Sequence, residues 1–243
     1  MMTKKVFFKP FVTASIILAS CALLFSSCRK NKDDVNLPDA AIVTFVHASP
    51  KAPRLDIGLD DNRLGLNNFT YTSYWNNQRA YTGNRTLKVF RYGESSAFYT
   101  KDVTFDVDKH YSVFLADSGS KMEAVVLQNQ SRSPTNDSTR VKFANMCPDV
   151  PAMDFYIKGE ATPVATNVAY KSAADFISVK AGYDIIFEVR ASGTSTVLAP
   201  SLPVRFAGGN IYTIYASGFK GLATAEGRVT VSSIRHTQPV YWY

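Results

Sequence analysis

Residues 42–57 read IVTFVHASPKAPRLDI, and residues 140–155 read RVKFANMCPDVPAMDF. At a shift of 98 positions Phe45 falls on Phe143, Pro50 on Pro148, Pro53 on Pro151 and Asp56 on Asp154. Farther along, HYSVFLADS (110–118) falls on IYTIYASGF (211–219) at a shift of 101, with Tyr111 on Tyr212. Solenoid repeats recur every 20–50 residues, so a period near 100 means that a whole domain is repeated. In each copy an apolar stretch ends at Val46 or Ala144, and two prolines then forbid further ladder pairing and stiffen the turn. Asp56 and Asp154 follow as the next strand begins, where a carboxylate is placed to accept backbone N–H groups.

Between these landmarks the hydrophobic period is two. Val103, Phe105 and Val107 alternate with polar residues, and so do Tyr111, Val113 and Leu115, with Asp108-Lys109 marking a tight turn. In the second copy Leu202, Val204 and Phe206 precede Gly208-Gly209, and Tyr212, Ile214 and Ala216 follow; a Gly-Gly pair between alternating runs is a hairpin signal. Further strands are expected at 41–47, 55–59, 86–92, 97–101, 122–128, 153–158, 184–191 and 228–235. No long segment has a period of 3.6. The expected fold is all-β: two tandem immunoglobulin-like antiparallel β-sandwich domains, at 40–130 and 139–243, joined by a polar linker at 131–138. Tyr111 and Tyr212, each opening a late strand, are placed like the tyrosine corner of such sandwiches, with core packing as the competing reading.

The amino end reads as an address. Lys4, Lys5 and Lys9 precede the uncharged run Phe11–Phe25, then Ser26, Ser27 and Cys28. This resembles a bacterial lipoprotein signal. The resemblance implies cleavage of 1–27 and lipid on Cys28, with 28–39 as a tether that reaches about 35 Å when extended. An uncleaved anchor helix and an unlipidated secretory signal are the alternatives. The implied location is the outer membrane, on either its periplasmic or its outer face, with the membrane as a partner through the lipid.

The 243 residues are 46% hydrophobic and 19% charged, which excludes a disordered tail, a collagen-like fibre and a multi-span membrane protein. Removing the three signal lysines from 27 basic side chains leaves 24 against 20 acidic ones. These charges are scattered and form no stripe of the kind nucleic acid needs. Once Cys21 leaves and Cys28 is lipidated, Cys147 is alone, so no intramolecular disulfide is expected.

VHASPKAPRLDI resembles the opening motif of a widespread bacterial domain family of unknown function, V-H-A-S-P-x-A-P-x-V-D. Val46, His47, Ala48, Ser49, Pro50, Ala52, Pro53 and Asp56 match it. Leu55 replaces a valine, and the twin carries Asn145, Met146 and Cys147 in place of His, Ala and Ser. The resemblance implies secreted or lipid-anchored proteins with adjacent immunoglobulin-like repeats, and no established activity.

Chemistry is sparse. His47 and Ser49 share a strand face, but a serine hydrolase also needs an orienting carboxylate and an oxyanion hole. Asp56, Asp60, Asp61 and Asn62 are oxygen donors, yet their spacing fails the calcium-loop pattern and suits a hairpin turn. No cofactor is implied. The aromatic stretch FTYTSYWNNQRAYTGN (69–84) interleaves rings with amides, so Tyr71, Tyr74 and Trp75 are candidate contacts for a glycan or an envelope protein, against the plainer reading of core or lid. Asp137-Ser138-Thr139 resembles an O-glycosylation acceptor used in some Bacteroidota, with Ser138 as the modified residue. The expected function is a non-enzymatic scaffold or protein-interaction module, with surface glycan binding as the alternative and a hydrolase as the third reading.

Overall fold

The computed structural model describes residues 38–65, 68–129 and 134–236. The signal, Cys28, most of the tether, residues 131–133 of the linker and the aromatic end PVYWY (239–243) lie outside the described residues. From Asp39 onward the described residues form one compact unit.

The first copy runs β1 (Ala40–Ala48), β2 (Leu55–Leu59), β3 (Asn62–Leu64), β4 (Tyr74–Tyr81), β5 (Gly83–Arg91), β6 (Tyr99–Phe105), β7 (His110–Ala116) and β8 (Glu123–Asn129). These strands build an outer sheet β3-β2-β5-β6 and an inner sheet β4-β1-β7-β8. The second copy runs β9 (Ser138–Met146), β10 (Ala152–Ile157), β11 (Pro163–Ala169), β12 (Ser172–Ala173), β13 (Ile177–Lys180), β14 (Asp184–Ile185), β15 (Phe187–Ala191), β16 (Val197–Pro200), β17 (Val204–Arg205), β18 (Ile211–Ser217) and β19 (Thr230–His236). Its outer sheet is β11-β10-β15-β16 and its inner sheet β12-β9-β18-β19; β13 also pairs with β9, and β14 pairs with β17. The fold is all-β, two sandwiches with the same strand plan. Pairings between the named strands are antiparallel except β1 with β7 and β9 with β18, which are parallel. The first strand of each copy therefore lies in the middle of its sheet, beside the strand the tyrosine opens.

Two expected hairpins are corrected. Asp108 (φ 56°) and Gly209 (φ 72°) do make tight turns. However, β6 pairs with β5 and β17 with β14, whereas β7 and β18 belong to the inner sheets. The first turn carries the chain from the outer to the inner sheet, and the second from the separate β14–β17 ladder to the inner sheet. The tyrosines explain why: the Asp106 N–H donates to Tyr111 Oη (3.2 Å) and the Ala207 N–H to Tyr212 Oη (3.0 Å), pinning both corners. At the second corner a Cβ on Gly208 would run into the Asn136 carbonyl, so glycine is needed for the close approach. The Asp60-Asp61 turn is a hairpin as expected, with Leu59 opposite Asn62.

Each sandwich has its own core. Val43, Phe45, Leu55, Leu87, Phe105 and Val113 fill the first, and Phe143, Phe155, Phe187, Phe206 and Ile214 fill the second. A third core lies between the two inner sheets: Val46, Ala48, Phe114, Ala116 and Val125 meet Ala144, Met146, Tyr215 and Ile234. Phe114 and Tyr215 stack edge-on at 5.3 Å. The molecule is thus four β layers deep. This explains why β1, β7, β9 and β18 are buried almost throughout, where a sheet with one wet face would alternate. Small residues, Ala48, Ala116 and Ala144, let the inner sheets approach. Toward one end this seam turns polar, with Ser112, Asn129, Lys142, Thr213 and His236 all buried.

Candidate functional site

The opening motif builds a clamp where β1 leaves the core. His47 lies in β1 facing Phe69 (ring centroids 5.3 Å apart) and is wholly buried. Its Nε2 lies 3.2 Å from the Pro53 carbonyl, an acceptor, so Nε2 carries the proton. Nδ1 is then bare and buried without a partner. Burial pulls the pKa down to about 4, only partly opposed by the Pro53 hydrogen bond, and the ring is neutral at pH 7. Ser49, also wholly buried, donates its hydroxyl to the Asp117 carbonyl. His47 and Ser49 tie the Pro50–Pro53 turn to its surroundings, and both side chains are wholly buried.

In the second copy Asn145 takes the histidine's place. Its Nδ2 donates to the Val150 (3.0 Å) and Val168 (3.1 Å) carbonyls, and its Oδ1 accepts the Cys147 N–H (2.9 Å). Cys147 replaces Ser49; it is a free, fully buried thiol whose pKa burial pushes well up. The aspartates differ likewise. Asp154 accepts the Asn167 N–H (2.8 Å), the Ser192 hydroxyl (2.9 Å) and the Gly193 N–H (3.0 Å), as the sequence suggested. Burial raises its pKa, but these donors outweigh that and hold it below the usual carboxylate value. Asp56 instead takes the Arg63 guanidinium at 2.8 Å. The loop carboxylates offered for calcium are engaged too. Asp60 accepts the Thr86 N–H at 2.9 Å and pairs with Arg85 at 3.1 Å, and Asp61 pairs with Lys88 at 3.2 Å.

The aromatic stretch is a strand, β4, and the chain leading to it. Tyr71 is half-buried, with Oη 3.0 Å from Ser217 Oγ of the second copy. Tyr74 opens β4 and stays 40% exposed. Trp75 packs on the first core, on the opposite face of the strand. The three rings do not form one platform: one ties the seam, one is open, one fills the core. Asn76 spans the seam, accepting from Thr44 Oγ1 (2.6 Å) and donating to the Arg235 carbonyl (2.5 Å). Tyr215 Oη reaches the Thr72 carbonyl at 3.4 Å. Ser138 opens β9 with its Oγ 3.1 Å from Thr135 Oγ1, in an exposed setting.

The polar end of the seam carries titratable groups that motif reading passes over. His236 Nε2 lies 2.9 Å from Thr213 Oγ1, and burial, reinforced by the charges of Lys142 and His110, lowers its pKa to about 3. Lys142 donates to the Gln128 carbonyl (2.5 Å), and burial lowers its pKa to about 8. The only sequence signal for Lys142 is a lysine between two apolar residues in VKF.

Fold and site together define a class: a rigid double β-sandwich whose chemistry-bearing side chains hold turns and the seam. The chain belongs to the family described as a domain of unknown function, DUF4397, which matches residues 41–156 and 141–235. The two matches share 141–156, the stretch that contains most of β9 and β10. No curated protein matches the chain. Among solved structures it resembles the C-terminal domain of AlgF from P. aeruginosa (14% identity, 42% of this chain and 100% of that one, TM-score 0.30). It also resembles the family CBM26 module from Eubacterium rectale Amy13K, solved with maltoheptaose (9%, 83% and 100%, 0.27). A third is a streptococcal virulence factor described as binding alpha-glucan (11%, 71% and 91%, 0.24). Scores this low carry no argument about a ligand.

Proposed function

We propose that this protein is a lipid-anchored component of the bacterial outer membrane that works by contact, as a rigid scaffold or protein-interaction module, without making or breaking bonds. One observation carries the non-catalytic part. His47, Ser49, Cys147 and His236 are all buried, and His47, Ser49 and His236 are held by named hydrogen bonds. A catalyst needs such groups poised at an open cleft. The anchor part rests on the run of apolar residues that ends at Cys28. Several acyl chains on one cysteine hold a protein firmly, whereas one chain binds only marginally. The exposed Tyr81, Tyr92, Tyr183 and Leu202 supply apolar points for a partner.

The test is metabolic labelling with radioactive palmitate, followed by membrane fractionation. The wild-type protein incorporates label and sediments with membranes, and Cys28→Ala does neither. Membrane retention of unlabelled Cys28→Ala contradicts the anchor. A glycan partner is the second reading, favoured by the exposed rings of Tyr74 and Tyr81 at the two ends of edge strand β4, with amide side chains between them. A glycan array decides it: binding that Tyr74→Ala removes supports this reading, and an array without hits excludes it.

A further inference from the structure

The seam holds two equivalent places that are filled differently. Thr44 in β1 and Lys142 in β9 correspond at the 98-residue shift. Beside Thr44, an irregularity in the β1–β4 register presents Asn76, which bonds Thr44 and reaches the Arg235 carbonyl on β19. Beside Lys142 the corresponding edge is broken. β12 ends at Ala173, β13 begins at Ile177, and residues 174–176 lie between the two short ladders on β9. The Phe176 ring lies over Lys142 there, its centroid 4.5 Å from Nζ, and offers no hydrogen-bonding side chain like that of Asn76. Lys142 itself reaches across to the Gln128 carbonyl on β8. What remains is a cavity of about 330 Å³ with Leu127 and Asn129 of the first copy on one side and Lys142, Ala174, Asp175 and Phe176 of the second on the other.

Two groups in this lining keep hydrogen-bonding capacity that the described residues leave unused. Lys142 is only 8% exposed, yet among the described residues its ammonium makes no ion pair. It lies 4.5 Å from the centroid of the Phe176 ring, and Asp175, the one carboxylate in the described lining, acts on it only from beyond ion-pair distance. Asn129, 7% exposed, donates Nδ2 to Ser112 Oγ at 2.8 Å and leaves Oδ1 buried with no partner among the described residues. Buried cations normally carry a counter-charge, and buried acceptors normally find a donor.

We propose that this cavity binds a small organic carboxylate that also carries a hydroxyl or amide N–H. The carboxylate lies on Lys142 Nζ, the donor meets Asn129 Oδ1, and a short apolar body rests against Phe176 and Leu127. Lys142 is the one positive group in the described lining, His236 nearby is kept neutral at pH 7 and the Asp175 carboxylate opposes further negative charge, so a monoanion is favoured over a phosphate. One copy supplies the lysine and the other the amide, so the site exists only where the two are joined. Binding weakens as pH rises through about 8, where Lys142 loses its proton. The site stands apart from the anchor and scaffold reading and survives if that reading fails.

The test is ligand-observed NMR on the intact mature protein in detergent, with N-acetylalanine and lactate as probes and N-acetylalanine methyl ester as the uncharged control. The expected result is saturable binding of at least one acid at pH 7. The ester should bind at least tenfold more weakly, and binding should be lost in Lys142→Met and weakened at least tenfold in Ala173→Leu, which narrows the cavity from its seam side and leaves the lysine in place. Should Lys142→Met fail to fold, Ala173→Leu decides. No saturable binding by either acid, equal binding by the ester, or binding that Ala173→Leu leaves unchanged overturns the proposal.

Discussion

The two copies share a strand plan and a pair of pinned tyrosine corners, but they secure equivalent points with different chemistry. Where the first copy clamps its opening turn with His47, the second uses Asn145. Where the first neutralises its motif aspartate with Arg63, the second surrounds Asp154 with backbone and hydroxyl donors. Within the seam, Asn129 bonds Ser112 in one copy and His236 faces Thr213 in the other. What the fold requires at each point is a hydrogen bond of the right reach, and several side chains supply it. The motif therefore serves the fold, and the copies stop being equivalent most clearly at the cavity beside Lys142.

The largest expected effect falls on the layer both copies share. Phe114→Ala opens a void against Tyr215 and should lower stability by about 4 kcal/mol in denaturant unfolding, in line with other buried phenylalanine truncations. A loss below about 1 kcal/mol would mean that the seam contributes little and that the copies stand largely on their own cores.

Acid should act on both copies through their histidines. His47 and His236 have folded pKa values near 4 and 3, below the ordinary value near 6.5, so the unfolded chain takes up protons first. Stability is complete above about pH 6.5 and falls as pH drops toward 4, by up to about 1.4 kcal/mol per pH unit for each histidine. The melting temperature followed from pH 7 to 4.5 should decline, and His236→Gln, which keeps a partner for Thr213, should flatten that decline, leaving the parts due to His47 and to His110, whose pKa burial also lowers. A profile the substitution leaves unchanged removes His236 from the account.

A smaller effect separates the aspartates. Asp154→Ala strands three donors and should cost about 2–3 kcal/mol. Asp56→Ala leaves Arg63, whose side chain is 34% exposed, free to turn to water, and should cost about 1 kcal/mol or less. Equal losses in chemical denaturation would show that the two carboxylates do the same job after all.

Much of this was legible beforehand, for physical reasons. Period-two alternation, the paired prolines and the repeated tyrosines report local backbone demands, so strand positions and the sandwich fold could be read from residues 41–59 and 97–117 and their twins, with the tyrosine corner as one of two open readings. Sheet membership could not. Asp108-Lys109 and Gly208-Gly209 make tight turns in a hairpin or at a corner alike, and only the long-range parallel pairing of β1 with β7 decides which. The seam was hidden for a related reason. Alternation marks one buried face, and the other face of β1, β7, β9 and β18 mixes Val46, Phe114, Met146 and Tyr215 with alanine, serine, threonine and Lys142, so no clean second apolar stripe shows. The aromatic stretch reads the same whether its rings are packed or open: Tyr71 and Trp75 serve the seam and the first core, while Tyr74 and Tyr81 stay exposed. Lys142 and Asn129 are 13 positions apart and become neighbours only when the inner sheets meet.

The central claim, that two copies are fused through their inner sheets into one body, is tested most directly by scanning calorimetry of the mature protein. The account predicts a single transition whose calorimetric and van't Hoff enthalpies agree. Two resolved transitions, each carrying about half the heat, would contradict it.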